Sequence, residues 1–228
     1  MEVNEIVKLS AEKTAKICSS LKEGTTYDGM NDDIEFIFQC AFDKRKAVWD
    51  YCVVDMWELA KISSEVRERI ITIMEKGKAQ DKFIITCSSR RLENAGNEFF
   101  KKIVYLAITD KSKKVKIFGA QKADSYSLYE FAELIKEESE KAADNDVKEE
   151  LLLHYIYLTK GYRIEKGDAM LYIGRIEKDV SSVVFHGGRR SIPREIEEKD
   201  FHKYVITKHK DIQRIEDLYY SGEKNVTT

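Results

Sequence analysis

Several features that would mark a protein class are scarce in this sequence of 228 residues. Proline occurs once and glycine 11 times, too little of either for most of the chain to be disordered. No stretch approaches the roughly 18 consecutive apolar residues of a membrane span, and the first residues lack the apolar core of a signal peptide. We therefore predict a folded, soluble protein that makes no use of a membrane.

Neither cysteine pairing nor excess charge points to a specialised chemistry. The cysteines form no CxxC pair and lie in apolar or helical contexts, so we predict that they are reduced and buried in a cytoplasmic protein. Basic residues number 39 and acidic residues 41, for a formal net charge of −2. This balance argues against a general nucleic-acid binder, which would carry a basic excess. The four cysteines are Cys18, Cys40, Cys52 and Cys87.

Common catalytic signatures are also missing. The sequence contains no GxxxxGK[ST] phosphate loop, no GxGxxG or GxSxG motif, and neither the HExxH nor the zinc deaminase pattern. It predicts no metal site and no cofactor, and it leaves open whether the protein is an enzyme.

Helical periodicity dominates the first third of the chain. We predict that residues 1–78 are helical, apart from a turn near residues 24–29 and, as an alternative at residues 49–54, a short strand. Trp57 lies off the main apolar stripe of the predicted helix 55–76, so it either packs under neighbouring helices or marks a contact surface. No internal repeat at a fixed period is evident. The helical stripe consists of apolar residues that step by three and four: Leu59, Ile62, Val66, Ile70 and Ile73.

From residue 79 onward, short β-branched runs favour strands between helices. The order of elements predicts an α+β fold, in which a helical amino-terminal region (1–78) precedes an α+β domain (79–228) with a mixed, mostly antiparallel sheet and packed helices. The polar stretch near residues 138–149 is either a linker or part of a helix, and a single continuous domain is the alternative. The predicted strands are 82–87, 102–109, 114–118, 162–164, 169–173 and 182–185.

Two predicted strand exits suggest an anion site. In each, two small residues and two arginines follow an apolar strand, a pattern in which backbone N–H groups and guanidinium forks suit phosphate or carboxylate. A solvated turn is the simpler interpretation of both. His186, at the second exit, is a candidate acid–base residue. The candidate anion ligands are Arg90, Arg91, Gly187, Gly188, Arg189 and Arg190.

Two functions fit these observations. The first is a non-enzymatic intracellular binding or regulatory protein that acts through a protein partner or through self-association. The second is an enzyme or sensor that grips a phosphorylated ligand, either a nucleotide or a nucleic-acid end, between the two arginine-rich turns.

Overall fold

The computed structural model describes residues 1–89 and 97–160, together with three short strands between residues 162 and 192. The chain divides into two compact units, Met1–Gly119 and Ala120–Thr228. The described residues of 79–119 therefore share one unit with the amino-terminal region. A compact unit is not evidence of independent folding, so the domain boundary predicted after residue 78 stays a prediction.

The described part of the first unit consists of α-helices joined by short turns. Gly24 and Gly29, with φ of 68° and 83°, adopt the left-handed conformation that glycine takes most readily, and they bracket the loop after α1. The helices are α1 (Val3–Lys22), α2 (Met30–Ala41), α3 (Lys46–Ile62), α4 (Ser64–Lys76), α5 (Ala79–Ser88), α6 (Asn97–Ile108) and α7 (Lys113–Ser125), which ends in the second unit.

The second unit continues with a 3₁₀ turn, two helices and a small sheet. The strands pair antiparallel in the order β2-β1-β3, with Tyr162 opposite Ile173 and Ile164 opposite Ile192. The elements are the 3₁₀ turn Tyr129–Phe131, α8 (Ala132–Lys141), α9 (Asn145–Lys160), β1 (Tyr162–Glu165), β2 (Met170–Ile173) and β3 (Ser191–Ile192).

The helices recur at a regular spacing along the chain. Helices α2, α4, α6 and α8 begin at residues 30, 64, 97 and 132, and α3, α5, α7 and α9 begin at residues 46, 79, 113 and 145. Successive starts are therefore separated by 32 to 35 residues. A period of this length is typical of helix–turn–helix repeat proteins. The conclusion from the sequence that no repeat is present is wrong.

Within the first unit, the helices pack mainly on neighbours one or two places along the chain. Helix α3 contacts α1, α2, α4 and α5, and α4 contacts α3, α5 and α6. Arg69 of α4 reaches α2, where it lies 2.5 Å from a Glu35 carboxylate oxygen and 4.0 Å from the centre of the Phe38 ring. Such nearest-neighbour packing is the rule in helical-repeat proteins, in which each unit buries its apolar face against the next.

Trp57 lies in the core of the first unit. Its side chain is fully buried, and its indole N–H donates a hydrogen bond to the Ser88 hydroxyl at 2.9 Å. The interpretation of Trp57 as an exposed contact residue is therefore wrong, and the packing alternative is correct.

The helix predicted over residues 55–76 is two helices. The chain turns at Ser63, whose hydroxyl accepts a hydrogen bond from the Val66 N–H at 3.2 Å and so caps the start of α4. The three-and-four spacing continues across this turn in the sequence, although Ile62 exposes 38% of its surface while Val66 and Ile70 are buried.

The predicted α+β fold class is wrong, because every described residue up to 160 lies in a helix or a turn. The runs 82–87, 102–109 and 114–118, predicted as strands, fall mainly within α5, α6 and α7. In α5 the consecutive residues Ile84, Ile85 and Thr86 are all buried because helices pack on more than one of its sides. Burial of this kind removes the one-sided pattern that distinguishes a helix from a strand in sequence.

The prediction for the amino-terminal 78 residues is confirmed. Residues 49–54 lie within α3, and the region contains helices joined by turns.

The polar stretch 138–149 is mostly helical, since α8 ends at Lys141 and α9 begins at Asn145. All four cysteines are free thiols, but the prediction that they are buried holds only for Cys40 and Cys52, since Cys18 and Cys87 are half-buried. Among the helices that the structure describes, none is long and apolar enough to cross a membrane.

Candidate functional site

Three turns of the first unit follow helices α2, α4 and α6: residues 42–45, 77–78 and 109–112. A small cleft lies between the amino-terminal parts of α2 and α4, lined by Asn31, Ile34 and Glu35 and by Glu65, Val66 and Arg69. A second cleft brings the carboxyl ends of α4 and α6 together, so the second and third turns lie side by side.

The first and third of these turns have related sequences. Both read Asp-Lys-x-Lys-x-Val, at residues 43–48 and 110–115. The Asp43 carboxylate accepts a hydrogen bond from the Arg45 N–H at 2.8 Å, and Asp110 accepts one from the Ser112 N–H at 2.7 Å. Each aspartate thus fixes the turn before the next helix. This repeated motif is the signal in the sequence that could have revealed the repeat.

The larger cleft lies between the second and third turns, and it is the candidate site. Its volume is about 660 Å³, large enough for a small ligand or a few residues of a peptide. The cleft is lined by Met74, Glu75, Gly77, Ala79, Lys82, Leu106, Thr109, Asp110, Lys111 and Ser112.

A largely buried ion pair holds the two sides of this cleft together. Lys82 Nζ lies 2.7 Å from Asp110 Oδ2 and 3.3 Å from the Glu75 carbonyl oxygen. The Lys82 and Asp110 side chains expose 12% and 9% of their surface. Because Asp110 engages Lys82, this lysine fixes the cleft walls and is not free to grip an anion.

Lys111 lines the cleft, and four further exposed lysines lie within two positions of a lining residue in sequence: Lys76, Lys78, Lys113 and Lys114. Three carboxylates, Glu75, Asp81 and Asp110, lie near them in sequence. Burial raises the pKa of the Asp81 carboxyl, and the nearby Lys78 acts in the opposite direction. Among the residues that line the cleft, Lys82 and Lys111 balance the charges of Glu75 and Asp110.

The cleft exposes little apolar surface. Met74 exposes only 1% of its surface, and Leu106 is half-buried. The Thr109 hydroxyl donates to the Tyr105 carbonyl oxygen at 2.9 Å, as is usual for a threonine at a helix end. The residues that line the cleft include no histidine and no cysteine.

A histidine–aspartate pair in the second unit was missed in the sequence. His154 Nδ1 lies 2.8 Å from Asp124 Oδ2, and the two side chains expose only 7% and 3% of their surface. A substrate could reach this pair only if helices moved apart, so we interpret it as a structural contact between α7 and α9. A separation of 30 residues gives no sequence motif, which is why the pair was not found.

All the residues of the predicted anion site lie outside the described residues, so the site stays a prediction: Arg90, Arg91, His186, Gly187, Gly188, Arg189 and Arg190. One of its premises is nevertheless wrong. The residues before Arg90 belong to helix α5 and not to a strand. A helix carries partial negative charge at its carboxyl end, which does not favour an anion.

In the part of the chain that the structure describes, no three His, Cys, Asp or Glu side chains are grouped so that they could hold a metal ion. No family model, curated protein or solved structure matches this chain.

Proposed function

We propose that this chain is a non-enzymatic binding or regulatory protein that acts through a macromolecular partner. The observation that carries the proposal is the recurrence of helix pairs at 32 to 35 residues, together with packing that is mainly between neighbouring helices. Helical-repeat proteins present extended surfaces on which they bind other macromolecules. The candidate cleft adds support, because the exposed side chains of Glu75 and Lys111 lie in its lining.

The partner in this proposal is another protein or a second copy of the chain, and the compartment is the cytoplasm. Four free thiols support an intracellular location, since oxidising compartments favour disulfides.

Affinity capture followed by titration tests this proposal. The full chain should capture a macromolecule from the cells that produce it, and isothermal titration with the purified partner should saturate at a fixed stoichiometry. Sedimentation of the chain alone at increasing concentration should reveal any self-association. The proposal fails if no such complex forms while a nucleotide or another phosphorylated small molecule raises the melting temperature. That result would favour the enzyme or sensor instead.

A further inference from the structure

We propose that Cys40 and Cys52 form a redox-sensitive clamp, in which oxidation by a peroxide joins the two thiols in a reversible disulfide that ties helix α2 to helix α3. The inference goes beyond the proposed function and does not rest on it.

The turn after α2 brings the two cysteines to the same part of the core. Cys40 lies in the last turn of α2 and Cys52 in the second turn of α3, and the two helices pack on each other. The Asp43 carboxylate accepts hydrogen bonds from the backbone N–H and the guanidinium of Arg45, which fixes the connection between the helices. The hairpin therefore sets the position of each thiol.

The two thiols contact each other inside a buried cluster that also contains Ile6 and Val48. The Cys40 S–H donates a hydrogen bond to the Cys52 sulfur. A disulfide forms when the two sulfur atoms move from this contact to about 2.05 Å from each other. The pair thus consists of two neighbouring thiols on different helices, which is the arrangement that a cross-link between helices requires.

The hydrogen bond also makes the two sulfur atoms chemically different. It lowers the pKa of the Cys52 thiol against the effect of burial, and it raises the pKa of the Cys40 thiol in the same direction as burial. The thiolate is the nucleophilic form of cysteine. Cys52 is therefore the sulfur that attacks the oxidant, and Cys40 is the sulfur that resolves the product.

The reaction consumes one molecule of peroxide. The Cys52 thiolate attacks one peroxide oxygen, the O–O bond breaks, and Cys52 becomes a sulfenic acid while the leaving hydroxide takes up the proton that Cys52 released. The Cys40 sulfur then attacks the Cys52 sulfur, the S–O bond breaks, and the leaving hydroxide takes up the Cys40 proton. The two thiols lose two electrons and the peroxide is reduced to two waters. A small thiol reverses the reaction by thiol–disulfide exchange.

Burial of the pair makes it selective for small oxidants. Cys40 exposes 5% of its surface and Cys52 exposes 0%. Cys40 lies one residue from the end of α2, and helix ends fray, so a molecule the size of hydrogen peroxide can reach the pair when this end opens. We therefore expect the pair to react with peroxide more slowly than an exposed thiol does.

The disulfide would hold the α2–α3 hairpin closed. A cross-link restricts the unfolded chain, so the oxidised protein should melt at a higher temperature than the reduced protein. The backbone amides of α2 should also exchange with solvent more slowly, because local opening of this helix is then hindered.

The test treats the full, reduced chain with hydrogen peroxide and then identifies disulfides by mass spectrometry of a tryptic digest without reductant. Trypsin cleaves between the two cysteines, at Lys44, Arg45 and Lys46, so a disulfide keeps together two peptides that otherwise separate. We expect the Cys40 peptide linked to the Cys52 peptide and a fall in the free-thiol count from four to two. Dithiothreitol should restore all four thiols and the original melting temperature.

Matched variants identify the reacting residues. Cys18→Ser with Cys87→Ser removes the two half-buried thiols and should still form the disulfide at the rate of the wild-type chain. Cys40→Ala should form no disulfide within the chain, and its Cys52 sulfenic acid should be captured by dimedone. Circular dichroism checks that each variant is folded. The variant without Cys18 and Cys87 keeps both reacting thiols, so it tests the inference even if Cys40→Ala does not fold.

Three results would overturn the inference. One is a peroxide-induced disulfide that involves Cys18, Cys87 or a second chain in place of the pair. Another is a pair that stays reduced until urea unfolds the chain. The third is an oxidised chain that melts at or below the temperature of the reduced chain, which would show that the bond does not clamp the hairpin. None of these measurements involves a macromolecular partner, so the capture experiment tests the proposed function separately.

Discussion

Lys82 on the first turn of α5 and Asp110 in the turn before α7 form an ion pair with an N–O distance of 2.7 Å. The two side chains are largely buried, and Asp110 also accepts the Ser112 N–H. The pair therefore links two neighbouring helix–turn–helix units of the array. It acts on the shape of the candidate cleft because both residues line that cleft.

Removal of one partner should destabilise the first unit strongly. Lys82→Met leaves the Asp110 carboxylate buried without its cation, and we expect a loss of about 3 kcal/mol in the free energy of unfolding. Lys82→Met combined with Asp110→Asn should lose less than the sum of the two single losses, because no charge is then left unpaired. Urea denaturation of the four proteins in this cycle measures the coupling. Additive losses would show that the two residues do not act as a pair.

Gly119 should not tolerate a side chain, although it lies inside helix α7. A Cβ atom at this position would lie 2.6 Å from the Ile108 backbone nitrogen and 2.8 Å from the Ala107 carbonyl carbon. Alanine is favoured over glycine in a helix by about 1 kcal/mol. We nevertheless expect Gly119→Ala to lower the free energy of unfolding by about 1–3 kcal/mol, because backbone atoms cannot move aside.

The control for this prediction is Gly24→Ala, where a Cβ atom meets no other atom within 4 Å and only the positive φ of 68° opposes the change. Its cost should be about 1 kcal/mol. Chemical denaturation of both variants gives the comparison. A Gly119→Ala protein as stable as the wild-type chain would show that α6 and α7 are not in close contact.

The sequence predicts the helices that have one buried face and fails for those that are buried on several sides. The stripe from Leu59 to Ile73 is visible because most of the residues between its apolar positions are polar, although Ile62 itself exposes 38% of its surface. In α5, Ile84, Ile85 and Thr86 are buried side by side, so their β-branched run looks like a strand. The contacts that cause this burial come from other helices and cannot be read from a local window of sequence.

The candidate cleft was also beyond the reach of local patterns. Lys82 and Asp110 are 28 residues apart, and nothing near either residue identifies the other. The Asp-Lys-x-Lys-x-Val motif at residues 43–48 and 110–115 was present in the sequence. The turn at Gly77 does not contain the motif, so its two copies are two helix pairs apart. The period of one helix pair was therefore difficult to recognise in the sequence.

The hydrogen bond between Trp57 and Ser88 gives a third prediction. Ser88→Ala removes the acceptor of the buried indole N–H, and an unsatisfied buried donor costs about 1–3 kcal/mol. We expect the free energy of unfolding to fall by an amount in that range. The same serine substitution in a Trp57→Phe background should cost less, because no indole N–H remains. Equal costs in both backgrounds would show that the hydrogen bond contributes nothing to stability.

Two aspartates of the first unit have opposite pKa shifts. The hydrogen bond from Lys13, helped by one from the Tyr27 hydroxyl, holds the pKa of Asp33 below its usual value, against the effect of burial. Burial raises the pKa of Asp55, although the Ser10 hydroxyl donates a hydrogen bond to it at 2.6 Å. The ionised form is thus favoured at Asp33 in the folded state and disfavoured at Asp55.

Asparagine at these two positions should therefore change stability in opposite directions at neutral pH. Asp33 stabilises the fold above the unfolded pKa of about 4, and this contribution is lost as the pH falls through the lower folded pKa. Asp33→Asn should lower stability at pH 7 and flatten its decline in acid. The Asp55 contribution is lost as the pH rises through the higher folded pKa, so Asp55→Asn should raise stability at pH 7. Urea denaturation midpoints of both variants and the wild-type chain between about pH 3 and pH 7 test these directions. Stability changes of the same sign in the two variants at pH 7 would contradict the prediction.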